Sequence, residues 1–205
     1  MIRNKSFFLF FTLFYLGTFS LFSLSLNLPM ATNADIDKVM ESGKTIKRLY
    51  EVQGSNIKTG QIIGIVNANP KRIWKAITDY ANFNKIMPYM TDASHLIGWI
   101  DEYTALMHGE LEVPAPIYFI AYDIELFHYP EEFFIEWDMV PGTGENIRKM
   151  SGYWELIPDP HNIRRCVLVY TVSADPITDL SPGIINYAIK VSLGKVLTAV
   201  KEESE

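Results

Sequence analysis

Apolar positions recur along this chain with two periods, and the change from one to the other marks out its elements. Gln61 to Val66 is short and β-branched and is bounded by Gly60 and by Asn67 and Asn69, which predicts a strand. Asn69 as N-cap and Pro70 at the first helical position then start a helix, because the cap accepts from orphan N–H groups and proline loses none. Ile73, Trp74 and Ile77 recur with helical spacing. The pattern breaks at Asp79-Tyr80, and Phe83, Ile86 and Met87 carry a second short helix up to Pro88. The last periodic stretch is longer, from Pro182 to Val200, with Ser181 as a candidate N-cap. Ile185, Ile189, Ser192, Val196 and Val200 form its apolar stripe, flanked by Ala188, Leu193 and Ala199.

Between the helices the period is two. Asp92 to Ile100 and Tyr103 to Leu111 predict two strands, with His95, Ile97 and Trp99 sharing one face of the first and Leu106 and His108 one face of the second. Val113-Pro114-Ala115-Pro116 interrupts them as an irregular edge connection. Tyr118 to Phe127 puts Ile120, Tyr122, Ile124 and Leu126 on one face, and Glu132 to Val140 does the same with Phe133, Ile135, Trp137 and Met139; the acids take the other face. Lys149 to Ile157 and Arg164 to Ser173 complete the set. The last of these is apolar on both faces, with Val167 and Val169 opposite Cys166, Leu168, Tyr170 and Val172, so it predicts a strand covered on both sides. The plan is α+β: a curved antiparallel sheet wrapped around a long C-terminal helix, with two short helices after the first core strand.

The stretch VNANPKRIWKAITDYANFNKIMP, the segment Gly152 to Pro158 followed by Val167 to Val172, and the helix from Pro182 occur here in an order that resembles the START-like (SRPBCC, helix-grip or Bet v 1-like) superfamily, in particular its polyketide-cyclase and coenzyme-Q-binding branches. The resemblance covers about Lys44 to Lys201, with Thr45 to Val52 similar to the extra leading strand of such chains. It implies the helix-grip fold and a hydrophobic tunnel between sheet and long helix, used for lipids, sterols, polyketides or other apolar ligands. It also implies a mobile lid near residues 141–148; composition alone reads Pro141 to Asn146 equally as a plain hairpin connection.

Met1 to Leu26 reads as a targeting segment, because Arg3 and Lys5 precede a run from Phe7 to Leu26 that is almost wholly apolar or small. A signal peptide cut near Thr32-Asn33-Ala34 and an uncleaved membrane anchor both fit: the run of about 20 residues exceeds a usual cleaved core and just spans a bilayer. The expected organisation is therefore 1–34 as signal peptide or anchor and 35–205 as one ligand-binding domain, exported to the periplasm or medium or anchored facing out of the cytoplasm. The first 34 residues hold two of the 18 cations and none of the 24 acids, so the remainder carries a net charge of about −8. An acidic domain without a basic stripe excludes nucleic acid as a partner. Cys166, the lone cysteine, has no intramolecular disulfide partner and reads as a buried strand residue.

Candidate chemistry is sparse. His95 and His108 fall on neighbouring strands, with Glu110 beside His108, but no third ligand follows at fixed spacing; structural histidines and no metal are expected. No GxSxG elbow occurs, and Asp79 and Tyr80 read as helix-break residues. Neither a catalytic residue nor a cofactor is assigned. The heavy aromatic and methionine supply, which includes the Met87/Tyr89/Met90 cluster, fills a core in the first instance, yet small residues on the long helix leave space against it. Tyr122, Ile124, Trp137, Tyr170, Ile185, Ile189 and Ser192 are the candidate cavity residues, with His108 as a possible polar group. The expected function is to bind or carry a hydrophobic small molecule or lipid. The alternatives are a cyclase or dehydratase using His108 or Glu110 as acid–base group in the same cavity, or an interaction module with a filled core.

Overall fold

A computed structural model describes residues 28–113 and 119–205. The apolar run at 7–26 and the connection expected at Pro114 to Pro116 lie outside the described residues. The elements are α1 (Asn33–Ser42), β1 (Ile46–Val52), β2 (Ser55–Val66), α2 (Pro70–Ile77), a short 3-10 helix (Tyr80–Lys85), β3 (His95–Trp99), β4 (Thr104–Glu112), β5 (Phe119–Tyr129), β6 (Phe134–Met139), β7 (Ile147–Pro158), β8 (Cys166–Pro176) and α3 (Pro182–Ser204). All strand pairs are antiparallel in one curved sheet of order β1-β2-β8-β7-β6-β5-β4-β3, and α3 lies across its inner face. This is the α+β architecture that the hydrophobic pattern predicts, and it agrees with the helix-grip fold that the resemblance implies.

Local chemistry sets the helix starts. Asn69 Oδ1 accepts from the Lys71 amide at 2.9 Å and Pro70 opens α2. The helix stops where Thr78 Oγ1 donates back to the Trp74 carbonyl at 2.8 Å. The 3-10 turn that follows buries Tyr80 and Phe83. Tyr80 and Asp79 serve this break, and neither lines the apolar cavity described below.

Strand parity behaves as expected. Ile124, Leu126, Ile135, Trp137, Trp154, Leu168 and Tyr170 all belong to the inner core against α3. Two glycines of β2 bring the helix unusually close. A Cβ at Gly60 would lie 2.5 Å from Ile189 Cγ2, and one at Gly64 would lie 2.5 Å from Leu197 Cδ2. Both are nearer than carbon atoms approach, so the bare backbone is what allows α3 to seat there.

The second face of β8 is covered by α1. Val167 and Val169 pack with Ile63, Tyr153 and Val39, and Leu28, Ala31, Ile36 and Met40 lean on the same cluster. Residues 28–34, on the targeting side of the boundary expected at 34/35, are therefore part of this outer layer. Buried Gln61 ties them down: its Nε2 donates to the Pro29 carbonyl at 2.7 Å and lies 3.0 Å from the Tyr153 hydroxyl and 3.1 Å from Thr171 Oγ1. Tyr153 donates to the same carbonyl at 2.9 Å. The Thr32 hydroxyl caps α1 at the Asp35 amide, and Arg48 grips the buried Asp35 carboxylate with its two terminal guanidinium nitrogens, which holds that carboxyl below its usual range.

His128, at the end of β5, fastens the short helices to the sheet. Its Nδ1 donates to the Tyr103 carbonyl at 2.8 Å, its Nε2 accepts from the buried Tyr80 hydroxyl, and the rings of Trp74 and Trp99 stand 6.3 and 5.1 Å away. Burial pushes its pKa below the ordinary value.

Two stability measurements follow. Replacing Gln61 by alanine takes the amide from the buried Thr171 hydroxyl and one of two donors from the Pro29 carbonyl, which Tyr153 still holds, with an expected loss of about 1–3 kcal/mol in urea unfolding. The neutral form of His128 is favoured by the fold, so its contribution is complete above the unfolded value of about 6.5 and is lost as pH falls through the depressed folded one. The urea midpoint is expected to drop between pH 7 and pH 5, and His128→Gln to flatten that drop.

Candidate functional site

Because α3 seats against β2, it stands away from the far half of the sheet. The gap is a cavity of about 410 Å³. Its walls are Leu111 of β4, Ile120 of β5, Met150 of β7, Tyr170, Val172 and Ala174 of β8, and Ile185, Ala188, Ile189 and Ser192 of α3; Met87, Pro88 and Tyr89 form the rim. Four of the seven cavity residues read from the sequence, Tyr170, Ile185, Ile189 and Ser192, meet here.

The other three lie deeper. Tyr122, Ile124 and Trp137 surround a second void with Phe83, Met90, Leu126 and Trp154, and its volume is only about 10 Å³, roughly the room one water needs. Met87 and Met150 line both spaces and so form the partition between them. Glycines shape the inner chamber. A Cβ at Gly109 would sit 2.8 Å from the Tyr122 ring, and one at Gly152 would sit 2.2 Å from the Trp137 ring. Trp137 stacks on Tyr170 at 5.7 Å between centroids, which carries the aromatic lining from one chamber to the other.

His108 is on the opposite face of the sheet from the cavity. Ala105, Met107 and Gly109 point inward, so His108, one residue out of step, points outward with Glu110. Its Nδ1 lies 2.7 Å from Asp123 Oδ1 and its Nε2 3.4 Å from Glu110 Oε1, and the Asp123 carboxylate raises its pKa. His95 is its cross-strand partner, with ring centroids 5.4 Å apart. Among the described residues no three His, Cys, Asp or Glu side chains converge into a metal-binding group.

The lining residues named above carry no ionised side chain; hydroxyls are their only polar side-chain groups. Ser192 Oγ donates to the Ile189 carbonyl at 2.8 Å. Tyr170 and Tyr122 are buried, and burial of both rings raises their pKa, which keeps the phenols protonated. Cys166 is fully buried, and burial pushes its thiol up to about 12.

Sequence reading missed most of the rim. Tyr89 adopts φ 70°, a left-handed conformation uncommon for a bulky residue. Its carbonyl accepts from the Glu112 amide at 2.8 Å, and Lys195 of α3 donates to its hydroxyl at 2.8 Å with Nζ 4.5 Å from the ring centroid. The helix is thus clasped to the rim. Met150 shares the inward parity of Trp154 and Leu156, so strand alternation does contain the signal for it. The loop between β6 and β7 is fastened to β5: the Glu145 amide donates to the Ala121 carbonyl at 2.7 Å and Asn146 Nδ2 to the Phe119 carbonyl at 2.9 Å. No residue from 141 to 146 lines the cavity.

No family model and no curated protein matches the chain in sequence. Solved structures do match in fold. A STAR-related lipid transfer protein from Xanthomonas axonopodis is similar over 85% of this chain and 96% of its own, with a TM-score of 0.66 at 16% identity. A START superfamily protein from Mycobacterium smegmatis is similar over 71% of this chain and 96% of its own, with a TM-score of 0.60 at 11% identity. The Zhui aromatase/cyclase from Streptomyces sp. R1128 is similar over 71% and 89%, with a TM-score of 0.53 at 14% identity. The chain therefore has the START-like, helix-grip fold.

The partition is testable by truncation. Met150→Ala joins the two chambers and is expected to cost about 2–5 kcal/mol in urea unfolding, toward the lower end because one side of Met150 already faces open space.

Proposed function

We propose that this domain binds and carries an apolar small molecule or lipid outside the cytoplasm, holding it between α3 and the inner face of the sheet. The observation that supports the reading is the lining: some 410 Å³ of space walled by aliphatic, methionine and aromatic side chains, with Tyr170 and Ser192 supplying hydroxyls. That volume lies within the range of about 300–1,000 Å³ typical of small-molecule sites, where apolar burial supplies the affinity and a few polar groups orient the ligand. The ligand that fits is mainly hydrocarbon or ring, with one acceptor such as a carbonyl, ether or hydroxyl oxygen near Tyr170. Export agrees with the apolar run at 7–26 and with the acidic remainder of the chain.

An acid–base enzyme in the same cavity has less support. It needs an ionisable group facing the ligand, and His108 and Glu110 are both on the outer face. Gly60 and Gly64 close the core on one side only, so a fully filled interior is also disfavoured.

Native mass spectrometry of the protein purified from its own host, followed by organic extraction, tests the proposal. A lipid or isoprenoid-sized compound near one per chain is expected. Ser192→Trp, or the milder Ala188→Leu, is expected to abolish its retention while leaving the urea midpoint nearly unchanged. Tyr170→Phe is expected to weaken binding about 5–10-fold, the loss of one hydrogen bond of about 1 kcal/mol. A chain that arrives empty and takes up no hydrophobic fluorescent probe overturns the reading.

A further inference from the structure

Residues 28–34 are built into the outer layer of the domain. Leu28 and Ala31 lean on the Ile63, Tyr153, Val167 and Val169 cluster, and the Thr32 hydroxyl caps α1 at the Asp35 amide. The Pro29 carbonyl takes two donors, Gln61 Nε2 at 2.7 Å and the Tyr153 hydroxyl at 2.9 Å, with Gln61 1% and Tyr153 0% exposed. A leader is removed while the chain is still extended at the membrane, before the domain folds, so the fold uses only residues that follow the cut. A cut after Ala34, at the Thr32-Asn33-Ala34 triplet, discards the cap, the Pro29 carbonyl and both apolar contacts. It also leaves an ammonium at the amino end of α1, where the helix dipole disfavours positive charge. Both losses are avoided by a cut upstream of Leu28.

The sequence upstream has the matching pattern. Arg3 and Lys5 precede residues 7–16, a stretch in which only Thr12 is not apolar, and its ten residues fall within the roughly 7–15 of a cleaved apolar core. That stretch is about half the length a bilayer span requires. From Gly17 onward small residues interrupt the run: Gly17, Thr18, Ser20, Ser23 and Ser25. Two small-x-small triplets lie among them, Thr18-Phe19-Ser20 and Ser23-Leu24-Ser25. A cut after Ser20 keeps Leu21, Phe22 and Leu24 as a large apolar tail ahead of the strap. A cut after Ser25 removes all three and leaves only Leu26 and Asn27 before Leu28.

We propose that the chain is cut between Ser25 and Leu26 by a signal peptidase of the export machinery, so that the mature domain is 26–205 and the strap is its amino-terminal layer. Water adds across the Ser25–Leu26 amide: Ser25 takes the new carboxylate and leaves with the leader, and Leu26 carries the new ammonium. The proposal rests on export, which is part of the carrier reading, and its test needs no ligand. The full chain is expressed in its own host, and the isolated protein is examined by intact mass and amino-terminal sequencing. A chain beginning at Leu26 is expected. One that begins at Leu21 or Asp35, or that keeps residues 7–26, overturns the proposal. Ser25→Tyr puts a bulky ring beside the scissile bond and is expected to raise the uncut fraction several-fold in a pulse-chase. Ala34→Tyr, at an exposed position, is expected to leave the Leu26 terminus and its rate of appearance unchanged. Cutting precedes folding, so neither readout requires the variant to fold. The reverse pattern, with Ala34→Tyr blocking the cut and Ser25→Tyr not, overturns the proposal as well. A cut at Leu26 in a protein that takes up no apolar probe supports the processing site and sinks ligand carriage alone. A bound lipid on a chain cut elsewhere sinks the processing site alone.

Discussion

The close seating of α3 on β2 decides the rest of the molecule. Gly60 and Gly64 let the helix approach until Ile189 and Leu197 stand 2.5 Å from where Cβ atoms would be. A rigid helix pressed against one side of a curved sheet cannot also touch the other side. The space it leaves lies between its N-terminal half and β4, β5, β7 and β8, and side chains of modest size, Ala188, Ser192 and Ala174, do not refill it. The cavity is therefore a consequence of two glycines in one strand and of small residues on the opposite side of the helix. Interiors are normally close-packed, so space of this size beside so many large aromatic residues is a feature of the design of the fold and not of loose packing.

The aromatic residues act at the floor. Trp137, Trp154 and Tyr170 stack into one block, with 4.3 Å between the Trp154 and Tyr170 centroids, and Gly109 and Gly152 make room for Tyr122 and Trp137. These rings are too large and too well packed to yield to a ligand. Met87 and Met150, unbranched and with several rotatable bonds, are the residues at the partition that can change rotamer at low cost. The outer chamber is open, the inner one is nearly filled, and the flexible side chains stand between them.

The outer face has a separate function. α1 and the residues before it give β2, β7 and β8 a second apolar layer, and the buried polar groups beneath it, Gln61, Thr171 and Tyr153, find partners in each other and in the Pro29 carbonyl. A buried amide left without those partners is costly, so the polar network specifies where the N-terminal strap lies more sharply than apolar contact does. The strap in turn fixes the point at which the preceding chain leaves the domain. Covering of the outer face and satisfaction of its buried polar groups are thus one structural fact.

The amino-acid sequence by itself determined the elements and their faces, because side-chain periodicity is a local property. The proline-capped start of α2, the break at Asp79-Tyr80, the inward set of β5 and β6, the two apolar faces of β8 and the long α3 were all legible, as were Tyr170, Ile185, Ile189 and Ser192 as neighbours of a common space. Only the tertiary structure decided which face of a strand is the inner one, and that is why His108, correctly grouped with its face-mates, sits outside against Asp123. It also decided what α1 covers, which rim residues close the mouth and that Tyr122, Ile124 and Trp137 lie in a nearly filled inner chamber. Those outcomes depend on how near two distant segments come. Nothing in the local spacing of Gly60 and Gly64 records that Ile189 and Leu197 will press against them.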